Sequence, residues 1–530
     1  MTLEIPSLGR PFSLGMLYNC YEEKLIPGIT LWNREDLANN ISTTPQNCTD
    51  FEVLASDTVS GKSSALDVSG ELKLSLWSGM VEVGGSGKYF TDTKESKKQA
   101  RVTLKYLRTT RFDQLGMNHL CQKNITYKDV LDKGIATHVV TAILYGAQAF
   151  FIFDKKISNA ETTKEVKGKI TGMVMKIGNL TGEVKMNEAE NEEVRQFNCK
   201  FHGDFALKKN PVNYEEAVTT YASLPKQLGE DGEKAVPIKV WLYPLKNLDD
   251  RAASLVRQIS DHLVFTAETI LQQMSEVVME CNDMMRHPAA IAFPALNKIS
   301  QFKKLFEYFR VKFQKQLSQV LPSIRCGKKK ESILENILTS KEKSPFRDKN
   351  IRTFLIRRWQ EMETVHSLLK QLKGFRVVSE ERELMREILD PNFECTFCVN
   401  FSSLASADPY LSHLESWLHK ETWDLQDSFN EGETKQWFEQ SNIHKKVKMI
   451  YRLYGFEMPR TNPLVTSVEC SKCPGIGVHY YKKGEGMTPE CLPPVKFTFI
   501  DLSFKQIPHS HKQFCFCVGV MGDVNTLHLH

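Results

Sequence analysis

The sequence predicts an α+β chain built as consecutive zones: an antiparallel sheet of long strands over residues 1–248, a helical bundle over 249–391, a small α/β domain over 392–505 and an irregular tail over 506–530. Two observations carry this. Apolar residues recur with period two up to about Leu248, then at helical spacing to about Pro391, and then alternate between the two patterns. The length of 530 residues also suits about three or four domains of roughly 150 residues each.

The strands come first. In "QARVTLKYLRTTRF" Ala100, Val102, Leu104 and Tyr106 share one face while Gln99, Arg101, Thr103 and Lys105 share the other. "QFNCKFHGDF" alternates through Phe197, Cys199, Phe201 and Gly203. The longest apolar run, "ATHVVTAILYGAQAFFIF", reaches the minimum length of a transmembrane helix. Its β-branched and aromatic residues, with His138, Thr141 and Gln148 among them, favour a long buried strand.

Two segments fit either state. In "KEVKGKITGMVMKIGNLTGEVKM" a period of two places Val166, Gly168, Ile170, Gly172, Val174, Gly178, Leu180, Gly182, Val184 and Met186 on one face, broken only by Lys176. A helical period gathers Ile170, Met173, Val174, Ile177, Leu180, Thr181 and Val184 into a stripe just as well. The glycines cost either state roughly 0.5–1 kcal/mol each against alanine, so neither is strongly fixed locally. "ALDVSGELKLSLWSGM" behaves the same way. Leu66, Val68, Gly70, Leu72, Leu74, Leu76 and Met80 alternate, interrupted by Ser78, yet Leu72, Leu76, Met80 and Val83 also fit a helix. "GGSGK", with Gly84, Gly85 and Gly87, follows as a flexible break. A glycine-rich hairpin explains each segment singly; the recurrence of double periodicity beside two long strands lowers the odds of accident.

From Asp249 the apolar residues Leu255, Ile259, Leu263, Ala267, Leu271, Met274 and Val278 keep helical spacing, and two later runs repeat it, with breaks expected at Pro288, Pro294, Pro322 and the loop "TSKEKSPFRDK". An antiparallel bundle of four or five helices follows. Beyond it, "FECTFCVNF", "PLVTSVECS", "GVHYYKK" and "VKFTFIDL" read as strands, while "DPYLSHLESWLHKE" and "ETKQWFEQSNIHKKVKMIYRLYGF" read as helices.

Composition narrows the function. A hydrophobic fraction of 41% with 25% charged residues is ordinary for a globular protein, and a net charge of +5 is too small to suggest a nucleic-acid partner. Thirteen scattered cysteines suit reduced thiols better than a disulfide framework. The N-terminus lacks the basic start and uninterrupted apolar core of a secretory signal, so the expectation is a soluble protein, cytoplasmic or released by a non-classical route, with its sequons unused.

Candidate chemistry is sparse. "SDTVSGKS" misses a phosphate-binding loop because Ser56 stands where the first glycine belongs, and "GGSGKY" misses it at Tyr89. Cys395 and Cys398 fall within a strand and Cys470 and Cys473 in a turn, whereas a redox pair needs a helix N-terminus to lower its thiol pKa. Cys470, Cys473, Cys491 and His479 lack the tight paired spacing of a zinc motif. His138 on an apolar strand reads as a core histidine. No nucleophile elbow or paired-histidine metalloprotease motif is present, so the expectation is no enzyme, no metal and no cofactor.

"PSLGRPFSLGMLYNCYEEKLIPGITLW", "LKYLRTTRFDQLGMNHL" and "GIATHVVTAILYGAQAFFIFDKK" resemble the stonustoxin and verrucotoxin family of fish lytic proteins. The resemblance covers roughly residues 1–500. It implies a perforin/cytolysin-like bent antiparallel sheet, then a focal-adhesion-targeting-like helical bundle, then a thioredoxin-like domain without redox function. It also implies that residues 65–88 and 155–194 are pliable clusters that become membrane-spanning β-hairpins. The residues facing lipid would then be Leu66, Val68, Gly70, Leu72, Leu74, Leu76 and Met80 in the first cluster, and Val166, Gly168, Ile170, Gly172, Val174, Leu180, Gly182, Val184 and Met186 in the second. Gly84, Gly85 and Gly87 are the expected hinge.

A hairpin in lipid leaves its edges unpaired unless many copies close into a barrel, so a ring-shaped oligomer is expected, acting on membranes such as cholesterol-containing ones, alone or with a homologous subunit. Family members usually continue into a PRY-SPRY domain; this sequence ends where that domain would begin, and its tail looks unlike one. The rival expectation is a non-lytic cytosolic scaffold or regulator that keeps the fold. Lysine at Gly172 or Val174 is expected to block pore formation while leaving folding intact.

Overall fold

The computed structural model describes residues 2–68, 70–116, 125–127, 131, 134–158, 160–179, 184–254, 258–293, 298–401, 404, 407–420, 437–439, 443–444, 447, 460–468, 475–482, 485–487 and 517–519. The chain forms two compact units, one of residues 1–280 with 308–340, the other of residues 281–307 with 341–530.

The first unit is organised around one sheet. Its strands are β1 (Leu3–Pro6), β2 (Met16–Asn19), β3 (Lys24–Thr30), β4 (Ile41–Leu54), β5 (Gln99–Leu115), β6 (His138–Lys156), β7 (Asn198–Gly203) and β8 (Val236–Pro244). The predicted long strand over the apolar run is β6, and it is the spine. On one side it pairs antiparallel with β5 along most of its length. On the other, residues 138–146 pair with β8 and residues 149–154 with β7. β4 pairs with β5 and is an edge. β6 is apolar without alternation because both its faces are covered. Phe151 and Phe153 enter one core with Val102 and Leu104, while Phe150 and Ile152 enter another with Val140 and Leu242. Irregularities at Pro45/Cys48, Thr109/Arg111 and Leu144/Tyr145 interrupt the register midway along β4, β5 and β6. Bulges there bend the strands and increase their twist. Gly146 sits where a Cβ would lie 2.1 Å from the Arg108 carbonyl oxygen, so only glycine permits this approach of β6 to β5.

Helices fill the connections: α1 (Arg34–Asn39), α2 (Val59–Ala65) and α3 (Gly70–Trp77) before β5, α4 (Thr163–Gly178) and α5 (Glu188–Val194) before β7, and α6 (Tyr214–Gln227) before β8. The predicted helical zone supplies α7 (Asp261–Met285), α8 (Pro288–Ala292), α9 (Lys298–Arg325), α10 (Ser332–Lys343) and α11 (Asp348–Gln371). Pro288 opens α8 as expected. Pro322 does not break its helix: α9 runs on to Arg325, losing the one bond that a backbone N–H at position 322 would make to the Ser318 carbonyl oxygen.

The second unit carries α12 (Glu381–Ile388), α13 (Pro409–Leu418) and a sheet of β9 (Arg376–Val377), β10 (Cys395–Asn400), β11 (Thr461–Thr466), β12 (Gly475–Lys482), β13 (Glu485–Met487) and β14 (Cys517–Gly519). Its order is β13-β12-β10-β11-β9, with β14 on β12. β10 and β11 run parallel and β12 antiparallel to them. Thus Cys517–Gly519, within the tail that shows no pattern in the sequence, is a short strand. "VKFTFIDL" and most of "ETKQWFEQSNIHKKVKMIYRLYGF" lie outside the described residues.

Candidate functional site

Each ambiguous segment carries helix among its described residues, Gly70–Trp77 in the first and Thr163–Gly178 in the second, and the two cover opposite faces of the same sheet. The first lies between β4 and β5. Asp67 and Gly70, both at positive φ, turn the chain between α2 and α3. Leu66, Val68, Leu72 and Leu76 are buried in the core formed with Phe150, Ile152, Val140 and Val240. Leu74 and Trp77 are buried as well, and Met80 is half-buried. Leu72, Leu74, Leu76 and Trp77 together go most of the way round α3, so most of its surface must be covered. Gln314 on α9 donates to the Trp77 carbonyl oxygen at 2.7 Å.

Arg325, at the end of α9 and fully buried, clamps this segment. Its guanidinium donates to Glu71 Oε2 at 3.0 Å, to the Glu71 carbonyl oxygen at 3.1 Å and to Ser75 Oγ at 2.7 Å. It also donates to the Tyr21 carbonyl oxygen at 3.0 Å and lies 3.5 Å from Glu23. The same Glu71 carboxylate accepts the Ile259 backbone N–H at 2.7 Å. Taking away one member of such a buried pair costs about 3–5 kcal/mol, because the partner charge is left uncompensated.

The second segment lies between β6 and β7. The Thr162 hydroxyl accepts the Glu165 backbone N–H and the Glu165 carboxylate accepts the Thr162 backbone N–H, a capping box that starts α4. Val166, Ile170, Met173, Val174 and Ile177 face Val102, Leu104, Phe151 and Phe153. Gly168 and Gly172 lie on the outer face, where a Cβ would meet nothing within 4 Å. Val184 and Met186 are half-buried; Leu180 and Gly182 lie outside the described residues. Within the helix the alternating set is therefore divided, with Val166, Ile170 and Val174 on the inner side and Gly168 and Gly172 on the outer. What holds α4 from outside is exposed or partly so: Lys176 to Glu190 at 2.7 Å and Lys167 Nζ to the Ala55 carbonyl oxygen at 3.1 Å.

The three glycines after α3 are not a slack loop. A Cβ on Gly84 would lie 3.2 Å from the Gly9 carbonyl oxygen, one on Gly85 2.2 Å from Asp204 Oδ1 and one on Gly87 2.8 Å from the Leu8 carbonyl oxygen. Gly85 also has φ near +47°. Asp204 accepts the backbone N–H groups of Ser86 at 2.8 Å and Gln148 at 3.0 Å, tying this turn to β6.

Where the segments meet the sheet, a charge network spans the junctions that sequence reasoning missed. Arg101, buried on β5, makes a bidentate contact with Asp154 at 2.7 Å and reaches Asp92 at 2.9 Å and Asp57 at 3.4 Å. Lys62 pairs with Asp57 at 3.2 Å and His202 Nε2 lies 2.9 Å from Asp92. Burial opposes ionisation of Asp92, but the His202 ring and Arg101 outweigh it and hold its carboxyl well below the usual carboxylate range. The available signal was the position of Asp57, Asp92 and Asp154 at the ends of the segments.

The remaining candidates resolve simply. Lys62, the lysine of "SDTVSGKS", is buried and paired with Asp57 rather than free for a phosphate. His138 is a buried core histidine, its Nδ1 2.9 Å from Thr137 Oγ1, and burial pulls its pKa down to about 4. Cys395 and Cys398 lie on β10, and burial pushes the Cys398 thiol far above its ordinary value, which is the wrong direction for redox chemistry. Cys470, Cys473 and Cys491 lie outside the described residues. Among the described residues no helix is long and apolar enough to cross a membrane and no cluster fits a metal ion.

Three family descriptions match the chain in order: "SNTX, MACPF/CDC-like domain" over residues 2–183, "Stonustoxin helical domain" over 269–363 and "Thioredoxin-like SNTX domain" over 374–491. The chain is 36% identical to neoverrucotoxin subunit alpha of Synanceia verrucosa over 518 residues, 95% of this chain and 72% of that protein. It is 33% identical to cytolytic toxin-alpha of Scorpaena plumieri over 508 residues, 92% of this chain and 71% of that protein. A solved structure of stonustoxin superposes with a TM-score of 0.71 at 28% identity, covering 92% of this chain and 67% of that one.

Proposed function

Because the chain belongs to the stonustoxin family, we propose that it is a pore-forming cytolysin whose two helical segments unfurl into β-hairpins in a membrane after the protein has oligomerised. The observation that carries this reading is topological. Each segment connects two strands that are already antiparallel neighbours, β4 with β5 and β6 with β7, paired up to Leu54↔Thr103 and Asp154↔Asn198. Extending those ladders into residues 55–98 and 157–197 lengthens two existing hairpins without changing their register. About 9–11 tilted residues per strand span a bilayer, and lipid-facing and lumen-facing residues alternate. The period-two sets supply such a face: Leu66, Val68, Gly70, Leu72, Leu74 and Leu76, with Met80 at the hairpin tip, and Val166, Gly168, Ile170, Gly172, Val174, Leu180, Gly182, Val184 and Met186.

The helices store the same apolar side chains against the sheet until release. Release requires Arg325 to leave Glu71 and Ser75, and the turn at Gly84, Gly85 and Gly87 to separate from Leu8 and Asp204. The Arg101 network marks where the fixed sheet ends. Closing the barrel needs many copies, since open edges in lipid leave backbone groups unpaired. The relatives named as subunits make a homologous partner a natural member of the ring.

Dye release from cholesterol-containing liposomes, by the purified chain alone and then mixed with a homologous subunit, tests this. Release in either case supports the pore. A folded protein that releases nothing in both would favour a non-lytic scaffold.

A further inference from the structure

A cavity of about 340 Å³ lies within the first unit, lined by both helices of the first segment, by residues 90–94 and by α7 and α9. The volume falls in the lower range of small-ligand sites. Much of its wall is apolar: Leu76, Phe90, Leu271, Val278 and Met279. The charged side chains at its edge are Asp57, Lys62, Lys94 and Arg310. Asp57 is already neutralised by Lys62 and Arg101. Lys94 and Arg310 are left as surplus positive charge, and among the described residues neither has an ion-pair partner. Burial also pulls the pKa of Lys94 down, a penalty that a bound anion would relieve.

We propose that this cavity is a binding site for a single-chain carboxylate amphiphile, its carboxylate held by Arg310 and Lys94 and its chain against Leu271 and Val278. A ligand there touches the first segment and the helices that hold it, and the cavity exists only while they are packed together. Binding therefore favours the stored helical state by linkage. This regulatory half rests on the pore reading; the binding half does not.

The test is calorimetric titration of the full chain with octanoate, 1-octanol and octyltrimethylammonium. Octanoate should saturate at one per chain, at least about tenfold tighter than octanol, as expected for charge-assisted hydrogen bonds. Octyltrimethylammonium should not bind. The double variant Lys94→Gln with Arg310→Gln should bring octanoate to the level of octanol, and Val278→Trp should abolish both, with melting curves showing that each variant is folded. Lack of saturable octanoate binding, as a cavity holding water alone would give, or octanoate binding unaffected in the double variant, overturns the site. In dye release, saturating octanoate should slow the wild type but not the double variant; equal rates overturn the regulatory half. A wild type that releases no dye even without octanoate removes the pore reading and the regulatory half with it, and the titrations still decide the site.

Discussion

Gly172→Lys separates the stored state from the inserted one. On the outer face of α4 the new side chain meets open space, because a Cβ at Gly172 has no neighbour within 4 Å. The folded protein gains about 0.8–1 kcal/mol when glycine leaves a helix interior. In the hairpin the same position faces lipid, where a lysine near the midplane costs about 2–4 kcal/mol. Both effects act against insertion, roughly 3–5 kcal/mol per subunit, or at least about a hundredfold, and the cost repeats around a ring. Two controls apportion it. Gly172→Ala carries only the helix term and should slow dye release modestly. Thr171→Lys places the same charge on the alternate face and should retain release. Liposome dye release, with circular dichroism to confirm folding, reads all three. Wild-type activity in Gly172→Lys would refute the alternating lipid face in this segment. Val174→Lys, which the sequence offers as an equivalent probe, is not one: Val174 is fully buried, so the variant would force a lysine into the core before any membrane is met.

Arg325→Met should lower the melting temperature strongly, by the equivalent of about 3–5 kcal/mol, since Glu71 keeps its burial and loses its counter-charge. Glu190→Gln, which removes the charge paired with Lys176 and leaves an amide oxygen for the Asn187 backbone N–H, should barely move the melting temperature, and a large loss would show that α4 is held differently. Arg101→Met should unfold the protein at markedly lower urea concentration by stranding Asp154, Asp92 and Asp57 together. His138 is buried neutral with its pKa depressed from 6.5 to about 4, so the unfolded chain binds the proton first. Its contribution is complete above about pH 6.5 and is lost as the pH falls towards 4, by about 3 kcal/mol, and His138→Gln should flatten the urea-midpoint profile across that window.

Local pattern was enough for much of the fold. β5 and β7 lie where alternation places them and α7 where the spacing from Leu263 to Val278 places it, because each has a single period that only one secondary structure can bury, while β6 was legible from its β-branched and aromatic residues. The order of sheet, helices and small α/β domain was legible for the same reason. The double periodicity of residues 65–80 and 164–186 was legible too, and so was the fact that it could not be resolved locally.

What the sequence determined by itself is that these two segments carry an apolar face in either conformation. The tertiary structure decided the rest. The segments are helices here because β6 offers Phe151 and Phe153 on one face and Phe150 and Ile152 on the other, and a helix at each face buries them. The Arg101 network, the Arg325 clamp and the cavity beside Trp77 join residues as far apart as Glu71 and Arg325, and no periodicity reports such a pair. Spacing along a chain encodes what a residue's neighbours can do. Which distant charge ends up beside it depends on how the faces close.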